Sequence, residues 1–498
     1  MSVPDPRGTV SLATTRRGVW LGVGSGVLAQ VLSVVGTMVL ARLLVPADFG
    51  MVAAAALVTG LVETATISGI AVAVLRLPEL EPRRLATLTS LAVAVSLVCA
   101  TATWAAAPLV AQVNGEPGLA PFVSVIAGLF VVRMSLPITR PLLQRRLRFG
   151  TVYGVDAAGV ATLVVTQVAC AVAGLGAWSF VVGQYAQAVV VVTAFWVASR
   201  FRPRLALDRT YLREQLAFGS KMWLAGVLRY PNKNSDNWVV SVTMGVAALG
   251  AYSIAYVLPN ILRQRITTAT ADVMTPTYAR LSDEPDRLRG AYVRTLRMHA
   301  AVGFPAMTGL ALLSPAVVEV FFGPRWAAAA APMALICLAS AFDFVTMPTG
   351  SLLMSQGLAG RLARIQLHRF LALAAGLAVA VPLESLSAVA AAVAWSALVA
   401  ALSTLRSGAN ALDWSLRRSA SALAVPLLAS IAMGVLLLLT GTVVRDIPPV
   451  LLLPTGIVTG AGAYVAAVVL LSRRQAREIL DDVRVMLPAR LRGTRRRT

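Results

Sequence analysis

Lysine is almost missing from this chain: two of its 44 basic residues are lysine and the other 42 are arginine. Charge of any kind is sparse, at 13% of residues, where a soluble domain carries roughly 25%. With 57% apolar residues and a mean hydropathy of +0.76, the chain lacks the polar surface of a soluble protein. Cysteine is limited to Cys99, Cys170 and Cys337, all inside apolar segments. An odd, dispersed set argues against a disulfide framework or a metal site. The two histidines, His299 and His368, are too few and too far apart in sequence to suggest a metal centre. There is no phosphate-binding loop and no Ser/His/Asp set in a plausible context, so we expect no enzyme activity and no cofactor.

What the chain does have is long apolar runs. Fourteen are recognisable, from 19–41 and 49–72 to 419–442 and 449–472, with 216–241 and 247–272 in the middle. About 20 apolar residues cross a bilayer as a helix. The first run, Val19 to Leu40, is too long for a signal-peptide core and is followed directly by another span, so it reads as helix 1. Loops rich in arginine stay in the cytoplasm. Of the basic residues, 34 fall in alternate loops and the two ends, while the remaining loops hold only Arg42, Arg325 and Arg445. The pattern predicts a multi-pass protein of the cytoplasmic membrane with both termini inside. The net charge of +22 is therefore spread by topology and forms no nucleic-acid patch.

A repeat appears at an offset of 200 residues. LVPADFGMVAAA (Leu44 to Ala55) lies over MGVAALGAYSIA (Met244 to Ala255), matching Ala47 with Ala247 and Gly50 with Gly250. SLPITRPLLQ (Ser135 to Gln144) resembles TMPTGSLLMS (Thr346 to Ser355) at an offset near 211. Each half holds six helices, so the halves face the same way, as in transporters that bind substrate between parallel repeats. The expected divisions are a cytoplasmic segment 1–17, an N-lobe 18–200, a C-lobe 201–405, two further helices in 406–472 and a basic tail 473–498.

Ionisable side chains at membrane depth are costly and are functional hypotheses by default. Arg229 and Lys233 lie one turn apart in the seventh span and share a helix face, with Pro231 between them to break or kink the helix. The run RYPNKNSDN (Arg229 to Asn237) is the most polar stretch in any span and reads as a cavity floor or hinge. Arg263 and Arg265 are two apart, so at most one points directly into a cavity. Arg133 is a cation of the N-lobe. Glu63, at the repeat position of Arg263, is expected to face the cavity or pair with Arg263 or Arg265. The competing structural reading makes Glu63, Asp236 and Asp343 ion-pair partners of these cations. Asp156 and Asp343 look closer to a membrane interface. Asp236 and Glu63 are the carboxylates placed to couple transport to protons or sodium.

LARLLVPADFG (Leu40 to Gly50) resembles the signature after helix 1 of Wzx-type polysaccharide exporters, members of the multidrug/oligosaccharidyl-lipid/polysaccharide exporter superfamily. PLLQRRLRFG (Pro141 to Gly150), ALGAYSIAYVLP (Ala248 to Pro259), MTPTYARLSDEPDRLRGAY (Met274 to Tyr292) and FFGPRW (Phe321 to Trp326) resemble the same family in the same order. The resemblance covers roughly residues 10 to 405. It implies an all-α membrane protein with two six-helix lobes in a V and helices 13 and 14 appended. It also implies a flippase for polyprenyl-pyrophosphate-linked oligosaccharide, serving lipopolysaccharide, exopolysaccharide or teichuronic-type assembly, with a polysaccharide polymerase as a possible partner. The pyrophosphate would need the cations Arg229, Lys233, Arg263, Arg133 or Arg265. The alternatives within the superfamily are a lipid II flippase or a multidrug antiporter; a cationic centre argues against cationic drugs.

Overall fold

In the computed structural model, residues 12–66, 68–77, 81–443 and 448–475 are described, so most of the expected N-terminal segment and basic tail lies outside them. Apolar runs this long must satisfy their backbone polar groups internally in lipid, and helices do so within each segment. The helices are α1 (Leu12–Leu43), α2 (Pro46–Thr66), α3 (Ser68–Arg76), α4 (Pro82–Asn114), α5 (Leu119–Val132), α6 (Leu136–Arg145), α7 (Phe149–Val172), α8 (Trp178–Ser199) and α9 (Arg209–Arg280). They continue with α10 (Pro285–Leu312), α11 (Ser314–Val317), α12 (Ala330–Ser355), α13 (Ala359–Ala380), α14 (Leu386–Ala411), α15 (Leu416–Val443) and α16 (Pro449–Leu471). No strand occurs among the described residues.

Among the described residues, twelve helices are long and apolar enough to cross a membrane, or 13 if α10 and the segment Ser314–Phe322, bent by 72° from it, form one span. One of these, Gly226–Gln264, is 39 residues long. At 1.5 Å per residue it would measure about 58 Å, nearly twice the roughly 30 Å of hydrocarbon. It is interrupted at Gly245, where φ is 82° and ψ 175°. Only glycine adopts that backbone without strain. Each arm is long enough for its own crossing. The break therefore sits at Gly245 and not at Pro231: the backbone of Arg229 to Asn237 is helical throughout.

The chain divides into two compact units, Met1–Gly250 and Ala251–Thr498. In the first, α1 packs on α7, α4 on α5, and α7 on α8. The signature LVPADFG proves architectural. Asp48 accepts the Val45 N–H at 3.1 Å and the Ala177 N–H at 2.9 Å, tying the start of α2 to the turn before α8. Phe49 meets Phe180 edge-on at 5.0 Å. The glycines matched in the repeat touch one another. A Cβ on Gly50 would overlap the Val246 carbonyl; one on Gly250 would overlap the Pro46 carbonyl and stand 2.9 Å from the Gly50 nitrogen.

In the second unit, α12 packs on α10 and α14, α13 on α14, and α15 on α10 and α16. Its core includes the fully buried Tyr278, Tyr292, Leu296 and Leu352. The Tyr292 hydroxyl is satisfied by Thr349 Oγ1 at 2.8 Å.

Candidate functional site

A cavity of about 840 Å³ lies inside the first unit. Its polar lining comes from side chains at helical spacing. On α2 these are Thr59 and Glu63; on α8 they are Gln184 and Gln187. The third wall crosses the short turn from α5 into α6: Arg133, Pro137, the adjacent pair Arg140 and Pro141, and Gln144 recur every three or four residues and form a single face. Arg133 caps α5, and α6 resumes at Leu136, so the stripe persists through the break. From α7 comes Asp156.

Arg140 Nη2 and Asp156 Oδ2 are 2.7 Å apart, with side chains 46% and 33% exposed. Both side chains are thus partly accessible from the cavity. Glu63 is within electrostatic reach of Arg133. The cavity thus holds two cations and two carboxylates, with glutamines supplying both donors and acceptors.

Of the residues singled out in the sequence, Arg133 and Glu63 meet here. Arg140 and Asp156 line it too, and neither is among the substrate contacts expected from the sequence. The recurrence of polar residues from Arg133 to Gln144 is the signal in the sequence that points to this wall. Arg229 and Lys233 do not line this cavity. Their side chains are exposed on α9, and neither has a described polar partner. Between them, the Tyr230 hydroxyl donates to the Leu57 carbonyl across to α2. Asp236 is 2% exposed and accepts from the Asn237 amide at 3.3 Å.

Arg263 belongs to a separate cluster in the second unit. Asp343 of α12 lies between two guanidinium groups, 2.7 Å from Arg369 and 3.7 Å from Arg263. Arg263 also donates to Asn260 Oδ1 at 3.0 Å. Asp343 is buried, 8% exposed. The side chain of Arg265 lies outside the described residues.

Several arginines read as topology signals also terminate helices. Arg145 donates to the carbonyls of Val74 and Leu77 at the end of α3. Arg146 and Arg148 donate to Ser199 and Ala198 at the end of α8. Arg289 donates to Leu412 just past α14. Cations satisfy both the unpaired carbonyls and the negative end of the dipole there.

Comparison with known proteins places this architecture. The chain is 25% identical over 331 residues to the lipopolysaccharide biosynthesis protein WzxC of Escherichia coli, covering 65% of this chain and 66% of that one. It is 25% identical over 334 residues to the succinoglycan biosynthesis transport protein ExoT of Rhizobium meliloti, covering 66% and 67%. The alignments thus span about two thirds of these relatives' length. Among solved structures, the fold matches the lipid II flippase MurJ in an inward closed conformation, with TM-score 0.75, 12% identity and coverage of 91% of this chain and 99% of that one. An inward-facing multidrug resistance transporter of the MATE family matches with TM-score 0.59, 14% identity and coverage of 78% and 96%. The family model described as polysaccharide biosynthesis protein matches residues 39–331. This multi-pass membrane chain belongs to the polysaccharide biosynthesis protein family.

Proposed function

We propose that this protein is a flippase that carries polyprenyl-pyrophosphate-linked oligosaccharide across the cytoplasmic membrane by alternating access, for surface polysaccharide assembly. The observation that carries the reading is the polar-lined cavity of the first unit, with Arg133 and Arg140 on one helical face and glutamines around them. A pyrophosphate needs cations held away from bulk water, and a guanidinium grips phosphate through two parallel hydrogen bonds. Sugar hydroxyls need both donors and acceptors, which Gln144, Gln184 and Gln187 offer. Glu63 and Asp156 neutralise the arginines when no substrate is present and yield to the phosphate when it arrives.

We assign ion coupling to Glu63, because it shares the cavity with Arg133 and a change in its charge alters the hold on an anion. Asp236, buried beside Asn237, fits a packing role. Arg263 fits an ion pair with Asp343, and Arg229 and Lys233 fit the surface of α9. The product on the outer leaflet requires a polysaccharide polymerase or transferase to consume it.

The test is a deletion strain in which the amount and leaflet of lipid-linked oligosaccharide are measured. Accumulation on the cytoplasmic leaflet, with loss of one surface glycan and normal peptidoglycan, is the expected result. Unchanged intermediates would overturn the flippase reading, and arrested peptidoglycan synthesis would assign the protein to lipid II.

A further inference from the structure

A second site lies in the first unit, on the opposite side of α3 from the chemistry above. The end of α3, the start of α4 and the start of α9 enclose a pocket of about 260 Å³ lined by Arg76, Arg84, Tyr211 and Phe218. Both guanidinium groups stack on rings: Arg76 lies 5.0 Å from the Phe218 centroid and Arg84 lies 5.4 Å from that of Tyr211. Stacking fixes a guanidinium's plane while leaving its edge N–H groups free to bind an anion. Among the described contacts, the Phe218 ring is the partner of Arg76. Arg84 Nε pairs with Glu81 at 2.8 Å, and Asp208 is 4.0 Å from Arg83. Arg76, Arg83, Arg84, Arg209 and Arg213 are set against Glu81, Asp208 and Glu214, an excess of positive charge. Burial raises the Tyr211 phenol above its usual value, so at neutral pH it carries no charge to repel an anion.

Directly below, along the same three helices, runs an apolar groove of about 210 Å³ lined by Ile70, Leu88, Leu91, Val95, Leu216 and Trp223. Gln215 borders both spaces. Gly69 and Gly219 allow α3 and α9 to approach at its wall, where a Cβ on Gly69 would stand 3.2 Å from the Gly219 Cα. Leu216 and Trp223 are 49% and 45% exposed. From Arg84 to Val95 along α4 is about 16 Å, half of a roughly 30 Å hydrocarbon layer and therefore one leaflet deep. The arginine end belongs to the positively charged, cytoplasmic loops.

We propose that this site holds an anionic phospholipid of the cytoplasmic leaflet, its phosphate on Arg76 and Arg84 and one acyl chain along the groove to Trp223. Basic pockets between spans on the cytoplasmic side suit such headgroups. The polar pocket is less than a third of the volume of the main cavity, which fits a glycerophosphate better than an oligosaccharide. The lipid would tie the first arm of α9 to α3 and α4.

The experiment uses the full-length protein in nanodiscs. Quenching by brominated-acyl phosphatidylglycerol is compared with brominated phosphatidylcholine, and the Trp223 signal is taken as the difference between wild type and Trp223→Phe. The phosphatidylglycerol is expected to quench Trp223 at about thirtyfold lower mole fraction, the order of effect two interfacial arginines have on an anionic lipid. Arg76→Gln/Arg84→Gln should erase the preference with helicity and elution volume unchanged, and Arg76→Lys/Arg84→Lys should keep part of it. Equal quenching by both lipids, or a preference intact in the glutamine variant, would overturn the proposal. So would displacement by undecaprenyl diphosphate at a lower mole fraction than phosphatidylglycerol requires, since the site would then belong to the transported lipid.

Discussion

Arg140 and Asp156 offer a way to separate folding from transport. The pair is 2.7 Å long, and its side chains are 46% and 33% exposed in the cavity. In water, two charges at that distance attract by about 1.5 kcal/mol, and side-chain ordering offsets most of it; exposed pairs retain about 0.2–1 kcal/mol. Arg140→Gln and Asp156→Asn should therefore each lower stability by less than about 1 kcal/mol, a shift of less than about 3 °C in the unfolding midpoint. Their effects on an anionic substrate should be opposite. A charge-assisted hydrogen bond contributes about 1.5–3 kcal/mol, so losing the grip of Arg140 on phosphate should weaken binding roughly 100-fold. Asp156→Asn removes the carboxylate that competes for Arg140 and should tighten binding. The assay pairs thermal unfolding of purified protein with binding of undecaprenyl diphosphate, followed by surface-glycan immunoblots in the deletion strain. We expect export to fail in both, in the first for want of binding and in the second for want of release. Equal shifts of affinity in the same direction, or wild-type export from stable Arg140→Gln, would refute the cavity assignment.

The Asp343 cluster should behave the other way. Asp343→Asn leaves Arg263 and Arg369 facing each other without their shared carboxylate and should cost about 2–4 kcal/mol, discounted from the 3–5 typical of a fully buried pair; unfolding midpoints of Asp343→Asn, Arg369→Gln and the double variant would give the coupling, and an additive cycle would contradict it. Gly245→Ala forces an L residue into φ 82°, ψ 175° and should cost about 1–3 kcal/mol although the space around it is open. Thermal unfolding reads this, and Pro231→Ala is the control expected to be near neutral or stabilising. Arg145→Ala uncaps α3 and should cost about 2–3 kcal/mol; hydrogen exchange at residues 68–77 should accelerate, and unchanged protection there would mean that the capping bonds contribute nothing.

Much of this molecule was legible from its sequence because lipid is a demanding solvent. A backbone crossing it must be helical, and arginine-rich loops must stay on one side, so span number and orientation follow from local composition. The glycines at positions 50 and 250 were visible as a repeat, and their contact gives the physical need: backbone stands where a Cβ would go. Pro231 misled because a proline in a long helix can be absorbed, while the glycine fourteen residues later adopts a conformation closed to other residues.

Which charges share a space was a different matter. Arg133, Glu63, Arg140 and Asp156 come from four segments, and only the packing of α2, α5, α6, α7 and α8 brings them to one cavity. Arg145, Arg146 and Arg148 stand in one short run with Arg140 close by, yet three end helices and one lines the cavity. Composition along the chain determined that this protein crosses the membrane many times. The tertiary structure alone decided which arginines cap helices, which pair with carboxylates and which meet a ligand, because a guanidinium's role depends on the acceptors within about 3 Å of it, and those come from distant parts of the chain.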